Sequence, residues 1–270
     1  AFFGPIAKWA ARIDDARRIP EYVARAWATA ISGRPGPVVL VLPEDMLRDE
    51  VEAVDRPRVE RPIQACDDYQ STLFLEMLDT AEQPVAIVGG AAWTQRAGEI
   101  ISLFAAERGI PIATAFRRQD ALPSNSPAYA GNLGYGPNPK LVRRIREADL
   151  LLVVGARLGE ATTDGYTVIT PDHPGQKLVH VHPDPTELDR VYRTDMAICA
   201  DPEAFAELLT RMNGSPSPAG AEAHAEWLEW STPKPRDGAA LDLGLSVAAL
   251  GVGPPPDTII CNGARNFSGW

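Results

Sequence analysis

Two apolar patterns alternate along the middle of the chain. PVAIVGG (84–90), IPIATAF (110–116), LLLVVGA (150–156), KLVHVHP (177–183) and MAICADP (196–202) are short runs with apolar residues on consecutive positions. Between them lie stretches with helical spacing: 69–83, where Leu73, Leu75, Met77 and Leu78 recur, then 94–109, 139–149, 185–192 and 202–212. Gly109 stands where a left-handed helix cap is expected. Strands apolar on both faces and separated by helices predict a parallel sheet covered on each side. Residues 63–213 therefore read as one Rossmann-like α/β domain.

The flanks follow a different pattern. Residues 19–32 predict a helix, and GRPGPVVLVLPEDM (33–46) a turn, a short buried strand and an abrupt stop. A lone strand cannot bury such a run, so 1–47 are expected to be part of a sheet whose other strands lie upstream. Charge and proline without apolar period make 48–62 a linker. A second linker is expected over 214–256, with a possible short helix at 221–230, and a new unit from 257 to 270.

Composition narrows the classes. The 270 residues are 45% hydrophobic and 23% charged, with a formal net charge of −10 and no Lys/Arg stripe, which argues against nucleic acid or an anionic membrane as partner. No apolar run approaches the ~20 residues that span a bilayer. Cys66, Cys199 and Cys261 lack CxxC spacing, as expected of reduced, buried thiols in a cytoplasmic protein. The N-terminus has no secretory pattern and no starting methionine, so the chain is expected to be a piece of something longer.

Chemistry is sought at strand tips, because open parallel sheets bind ligands beyond their carboxyl ends. Gly89-Gly90 permits close backbone approach but lacks GxGxxG spacing, and a ligand-free turn is an equal reading. Thr114 ends the second strand, and AGNLGYGPNP (130–139) is a glycine-rich loop. Gly155-Ala156-Arg157 ends the central strand, and Arg157 suits either a phosphate or a structural carboxylate. His180 and His182 share one strand face, but no third metal ligand has a suitable spacing. His182, beside Asp184, is better placed to edge a ligand. Trp227 and Trp230 are expected to pack on a domain surface. No nucleophile elbow, P-loop or HExxH occurs, so no catalytic residue or metal ligand is assigned.

Taken in order, GRPGPVVLVLPEDML, PVAIVGGAAW, ADLLLVVGARLGE, KLVHVHPDPTEL and ICADPEAFAELL resemble the thiamine-diphosphate-dependent enzymes of the acetolactate synthase type. The resemblance covers nearly the whole chain. It implies the end of a pyrimidine-binding domain (1–47), a whole central domain (63–213) and the start of a diphosphate-binding domain (257–270). It further implies a parent homodimer or homotetramer that decarboxylates a small 2-oxo acid with thiamine diphosphate and Mg²⁺. The family's activating glutamate and its GDG…N motif are not among these residues, so the chain alone is expected to be inert. The resemblance places FAD or ADP contacts of the central domain at Gly89, Gly90, Thr114, Leu133, Gly134, Gly155, Ala156, Arg157 and Asp201. Leu158-Gly159-Glu160-Ala161 replaces the family's Phe-Asp-Asp-Arg, and His182 stands where an acidic residue would meet a ribose. Weak adenine-nucleotide binding or an empty crevice is therefore expected, without stoichiometric FAD. The alternative reading is a non-catalytic nucleotide-binding or subunit-interaction module.

Overall fold

The computed structural model describes residues 2–123, 125–171, 175–211, 217–234, 242–255, 258–259 and 261. Its main body is a six-stranded, all-parallel sheet. The strands are β3 (Pro84–Val88), β4 (Ile112–Thr114), β5 (Tyr129–Asn132), β6 (Leu150–Val154), β7 (Lys177–Val181) and β8 (Met196–Ile198). Their order, β5-β4-β3-β6-β7-β8, is the doubly wound order 3-2-1-4-5-6, the α/β fold class expected from the sequence.

Consecutive apolar residues are needed because each strand feeds two cores. Ala86, Val88, Leu150, Leu152 and Val154 point into one core, with Phe74, Ile101, Phe104 and Phe205. Val85, Ile87, Leu151 and Val153 point into the other, with Leu141 and Ile145. The first core is covered by α2 (Asp68–Asp79), α3 (Gln95–Arg108) and α5 (Pro202–Leu209), the second by α4 (Pro139–Glu147).

Local chemistry sets the helix ends. Thr94 caps α3 by accepting from the Ala97 amide at 3.1 Å, and Gly109 ends it at φ 68°. Asn138 caps α4, with proline at the first helical position.

The sequence reading differs from the structure at several places. Residues 185–189 form turns and not a helix. Asp184 accepts from the Thr186 amide and hydroxyl, and Asp189 has φ 55°, so local side-chain bonds and a left-handed residue displace helical ones. In the stretch read as a linker after 213, the short helix considered at 221–230 is present as α6 (Ala219–Ser231), and a further helix, α7 (Leu243–Val252), was not expected. The unit expected at 257–270 falls outside the described residues except at 258, 259 and 261. Cys66 and Cys199 are half-buried and Cys261 is exposed.

The strand at 38–41 (β2) does not join the main sheet. It pairs in parallel with β1 (Trp9–Arg12), a partner within the chain that the apolar pattern did not reveal, and α1 (Ile19–Ile31) connects the two. Ile13, Ala16 and Met46 form a small core beneath them. Among the described residues, no helix is long and apolar enough to cross a membrane.

Candidate functional site

At the switch point between β3 and β6 the chain leaves toward opposite faces, and a ligand crevice is expected above it. Gly89, Gly90 and Gly155 sit there with φ of 153°, 93° and 69°. A Cβ on Gly90 would meet the Gly155 carbonyl oxygen at 1.8 Å, and one on Gly155 would meet the Gly89 oxygen at 2.5 Å. These glycines let two backbones touch each other, so a ligand can lie over this edge but not between the tips. Arg118 donates to the Gly90 carbonyl, and Trp93, whose Nε1 donates to Ala121 O at 2.7 Å, packs over Gly155.

Along the sheet, Thr114 is fully buried and its carbonyl accepts from the Leu133 amide at 2.8 Å. Leu133 and Ala156 are core residues. Gly134 (φ 137°) lies against the Phe116 ring, where an added Cβ would stand 2.5 Å from Cδ2. Phe116 meets the exposed Tyr135 edge-on at 5.2 Å, and the Arg117 guanidinium lies 5.2 Å from the Phe116 ring centre. Sequence reasoning passed over Phe116, Arg117 and Tyr135. Their positions just beyond two strands were the available signal.

The densest electrostatics lie beyond β6 and β7. Glu187 is buried and takes three arginines: Arg34 at 2.8 Å, Arg190 at 2.7 Å and Arg157 at 3.1 Å. Arg157 thus has the structural carboxylate partner that was one of its two readings. It engages Glu187 only through Nε, and 48% of its side chain stays exposed. Its Nη groups make no hydrogen bond among the described residues.

His180 is buried, and its Nε2 donates to the Ala156 carbonyl at 2.9 Å. Burial pushes its pKa down to about 4, so the ring is neutral. His182 is also buried. Its Nδ1 accepts from the Asp184 amide at 3.1 Å, and burial lowers its pKa. Both rings serve the fold. Among the described residues, no three His, Cys, Asp or Glu side chains gather as a metal site needs.

Asp201 is committed as well. It pairs with Arg61 and accepts from the Gln64 amide at 2.8 Å, while Arg61 also donates to Gly33 O at 3.4 Å. Gly33 and Arg34, in the turn before β2, therefore rest on the carboxyl edge of the main sheet. Beside Glu187 a cavity of about 100 Å³ opens between the loops after β6 and β7. Pockets that hold whole drug-sized ligands span roughly 300–1,000 Å³. The sequence reading missed Glu187, Arg34 and Arg190. The signal lay in acidic and basic residues three apart in PTELDR, and in the arginine of the glycine turn.

Comparison with known proteins follows the same map. A family described as "Thiamine pyrophosphate enzyme, central domain" matches residues 72–209, more than half of the chain. The acetolactate synthase large subunit of Corynebacterium glutamicum is 27% identical over 98% of this chain and 44% of that protein. Sulfoacetaldehyde acetyltransferase of Alcaligenes xylosoxydans xylosoxydans is 30% identical over 77% of the chain and 34% of that protein. Glyoxylate carboligase of Escherichia coli O157:H7 is 28% identical, over 83% and 38%. The chain thus spans less than half the length of these relatives. The crystal structure of benzoylformate decarboxylase from Polynucleobacter necessarius superposes with a TM-score of 0.66 at 21% identity, over 88% of this chain and 43% of that one, a likeness of fold.

Proposed function

Because the chain belongs to the thiamine pyrophosphate enzyme family through its central domain, we propose that it is part of a longer enzyme that decarboxylates a 2-oxo acid. The parent then ligates or releases the resulting carbanion-derived unit, in the manner of an acetolactate synthase, and works as a homodimer or homotetramer. The observation that carries this reading is the family match along 72–209 together with relatives that extend well past this chain.

Thiamine diphosphate, when bound, supplies the carbanion-stabilising ring that such a decarboxylation needs. The residues described here do not fit that cofactor. They gather no metal-ligand cluster to hold Mg²⁺ on a diphosphate, and the buried carboxylates Glu187 and Asp201 are committed to arginines. No catalytic step is therefore derived from them.

The central domain's own contribution is an edge for an anionic ligand. Arg157, with one face open, is the residue we assign to a nucleotide phosphate, over the glycine backbones of β3 and β6. The cavity of about 100 Å³ and the touching backbones favour weak nucleotide contact over an enclosed flavin.

Two measurements test the reading. The native protein, detected in its source cells, should migrate well above the 29.1 kDa of this chain; a single species at that mass would defeat the proposal and favour a non-catalytic module. The isolated 270-residue chain should release no carbon dioxide from pyruvate when thiamine diphosphate and Mg²⁺ are added. Cofactor-dependent release would show that the machinery lies within it.

A further inference from the structure

We propose that the Gly33–Arg34 turn is a releasable latch, which lets the β1–α1–β2 unit (residues 2–48) swing on residues 49–60 while the main sheet stays folded. The inference does not depend on the enzymatic reading.

The two bodies share no apolar core. Ile13, Ala16 and Met46, with Ile19, Tyr22 and Leu40 around them, form a cluster that contains no residue of the main sheet or its helices. The two clusters of the main sheet contain no residue from 2–48. Bodies joined by a polar seam move against each other unless a large apolar interface prevents it. Residues 49–67 form neither helix nor strand, and 49–58 are all exposed, so the connection is free to bend.

Among the described residues, the hydrogen bond that runs directly from 2–48 to the main body is Arg34 Nη1 to Glu187 Oε1, at 2.8 Å. Breaking a buried ion pair is ordinarily costly because a charge is left unpaired in the interior. Glu187 is different. Without Arg34, its Oε1 keeps Arg190 at 2.7 Å and its Oε2 keeps Arg157 at 3.1 Å. Arg34, whose side chain is already 37% exposed, passes into water. Release strands no buried charge, and the contact is therefore reversible.

The groups on either side of the pair stay in place when it opens. Lys8 Nζ donates to Ser32 O at 2.6 Å and to Arg34 O at 3.1 Å, holding the turn to its own unit beyond the end of α1. Gly33, at φ 51°, lets the turn lie close to the loop after β7: an added Cβ would stand 3.4 Å from the Pro183 carbonyl oxygen. On the far side, Arg61 pairs with Asp201. The Gln64 amide donates to Asp201 Oδ2 at 2.8 Å, and the Asp201 amide donates to Gln64 O at 2.9 Å. These bonds fix the end of the linker to the main body, so the bend falls upstream of Arg61. The long contact from Arg61 to Gly33 O, 3.4 Å, opens with the turn. Lys8 also feels the charge of Asp184 across the seam, an attraction that dissolved salt screens. Docked, the turn covers the carboxyl edge beside Pro183 and Glu187; released, it uncovers that edge.

Small-angle X-ray scattering of the 270-residue chain, extrapolated to infinite dilution, tests the latch. Sodium chloride is varied from about 10 mM to about 1 M, over which the Debye length falls from about 30 Å to about 3 Å. The radius of gyration is expected to rise with salt. In Arg34→Gln it should be raised already at low salt, because loss of a hydrogen bond to a charged group shifts the opening equilibrium about ten-fold or more. Arg12→Gln, at an exposed pair with Asp14 inside the unit, should behave as wild type. Hydrogen exchange measured in parallel should show β3 and β6 protected at every salt concentration and in both variants. Expansion in Arg34→Gln without a salt response supports the Arg34–Glu187 latch and removes Lys8 from it. A low-salt radius in Arg34→Gln equal to that of wild type overturns the proposal. So does expansion in which β3 and β6 lose their protection, since the chain is then unfolding and not swinging.

Discussion

His180 shows how one buried side chain ties the fold to pH. Its folded-state pKa of about 4 lies below the ordinary 6.5 because burial disfavours the imidazolium. The unfolded chain therefore binds more protons between those two values, and stability rises with pH through that window. Acidification from pH 7 toward 4 should remove about 3 kcal/mol from this residue alone, since each pKa unit is worth about 1.4 kcal/mol. Urea denaturation at a series of pH values measures the slope. His180→Gln, whose amide can still donate to Ala156 O, should flatten it. An unchanged slope would mean that other groups, His182 first among them, carry the acid sensitivity.

Among the elements, α6 does work that its place in a proline-rich stretch did not suggest. It covers β5, the edge strand: Trp227 meets Tyr129 edge-on at 4.8 Å, and the His224 ring hydrogen-bonds Tyr129 O at 2.9 Å. Arg144 of α4 pairs with Glu226 at 2.8 Å. An uncovered edge strand invites pairing with other chains. Trp227→Ala should cost about 2 kcal/mol, below the 3–5 typical of fully buried aromatics, because Trp227 is only half-buried. The variant's urea midpoint should fall and its concentration-dependent light scattering rise. Stability and scattering equal to wild type would show that α6 is not needed to cover the edge. The neighbouring misreading at 185–192 has the opposite lesson. Its spacing is helical, but Pro183, Pro185 and the Asp184 side chain compete for the same backbone, and the turn that results is what brings Glu187 to Arg157.

Across the whole molecule, the β1–α1–β2 unit is fastened to the main sheet through charged groups. Arg34 reaches Glu187, and Arg61 of the linker bridges Asp201 and Gly33 O. Asp201 is only 5% exposed on its side chain, so removing Arg61 would leave a buried carboxylate with the Gln64 amide as its remaining partner. Arg61→Met should destabilise the chain by about 3 kcal/mol, the lower end for breaking a buried pair. It should also speed proteolysis within 47–62. Unaltered cleavage and stability would show that the contact is dispensable.

What the sequence determined by itself was everything that depends on local pattern. The five buried runs and their intervening helices specified a doubly covered parallel sheet, because no other arrangement buries both faces of PVAIV and LLLVV. Gly109 as a cap and Arg157 as a strand-tip cation were equally legible. Short elements were not. WAAR and YAGN hold four residues each, too few for a period to register, and they are strands only because β2 and β4 lie beside them. Of the ten positions singled out for a ligand, tertiary structure decided which way each one faces. Leu133 and Ala156 entered the core, Asp201 went to Arg61, and Gly90 and Gly155 went to each other. Burial and pairing depend on residues 30 to 150 positions away, and a charge such as Glu187 acquires its meaning only when Arg34, 153 residues earlier, is folded against it.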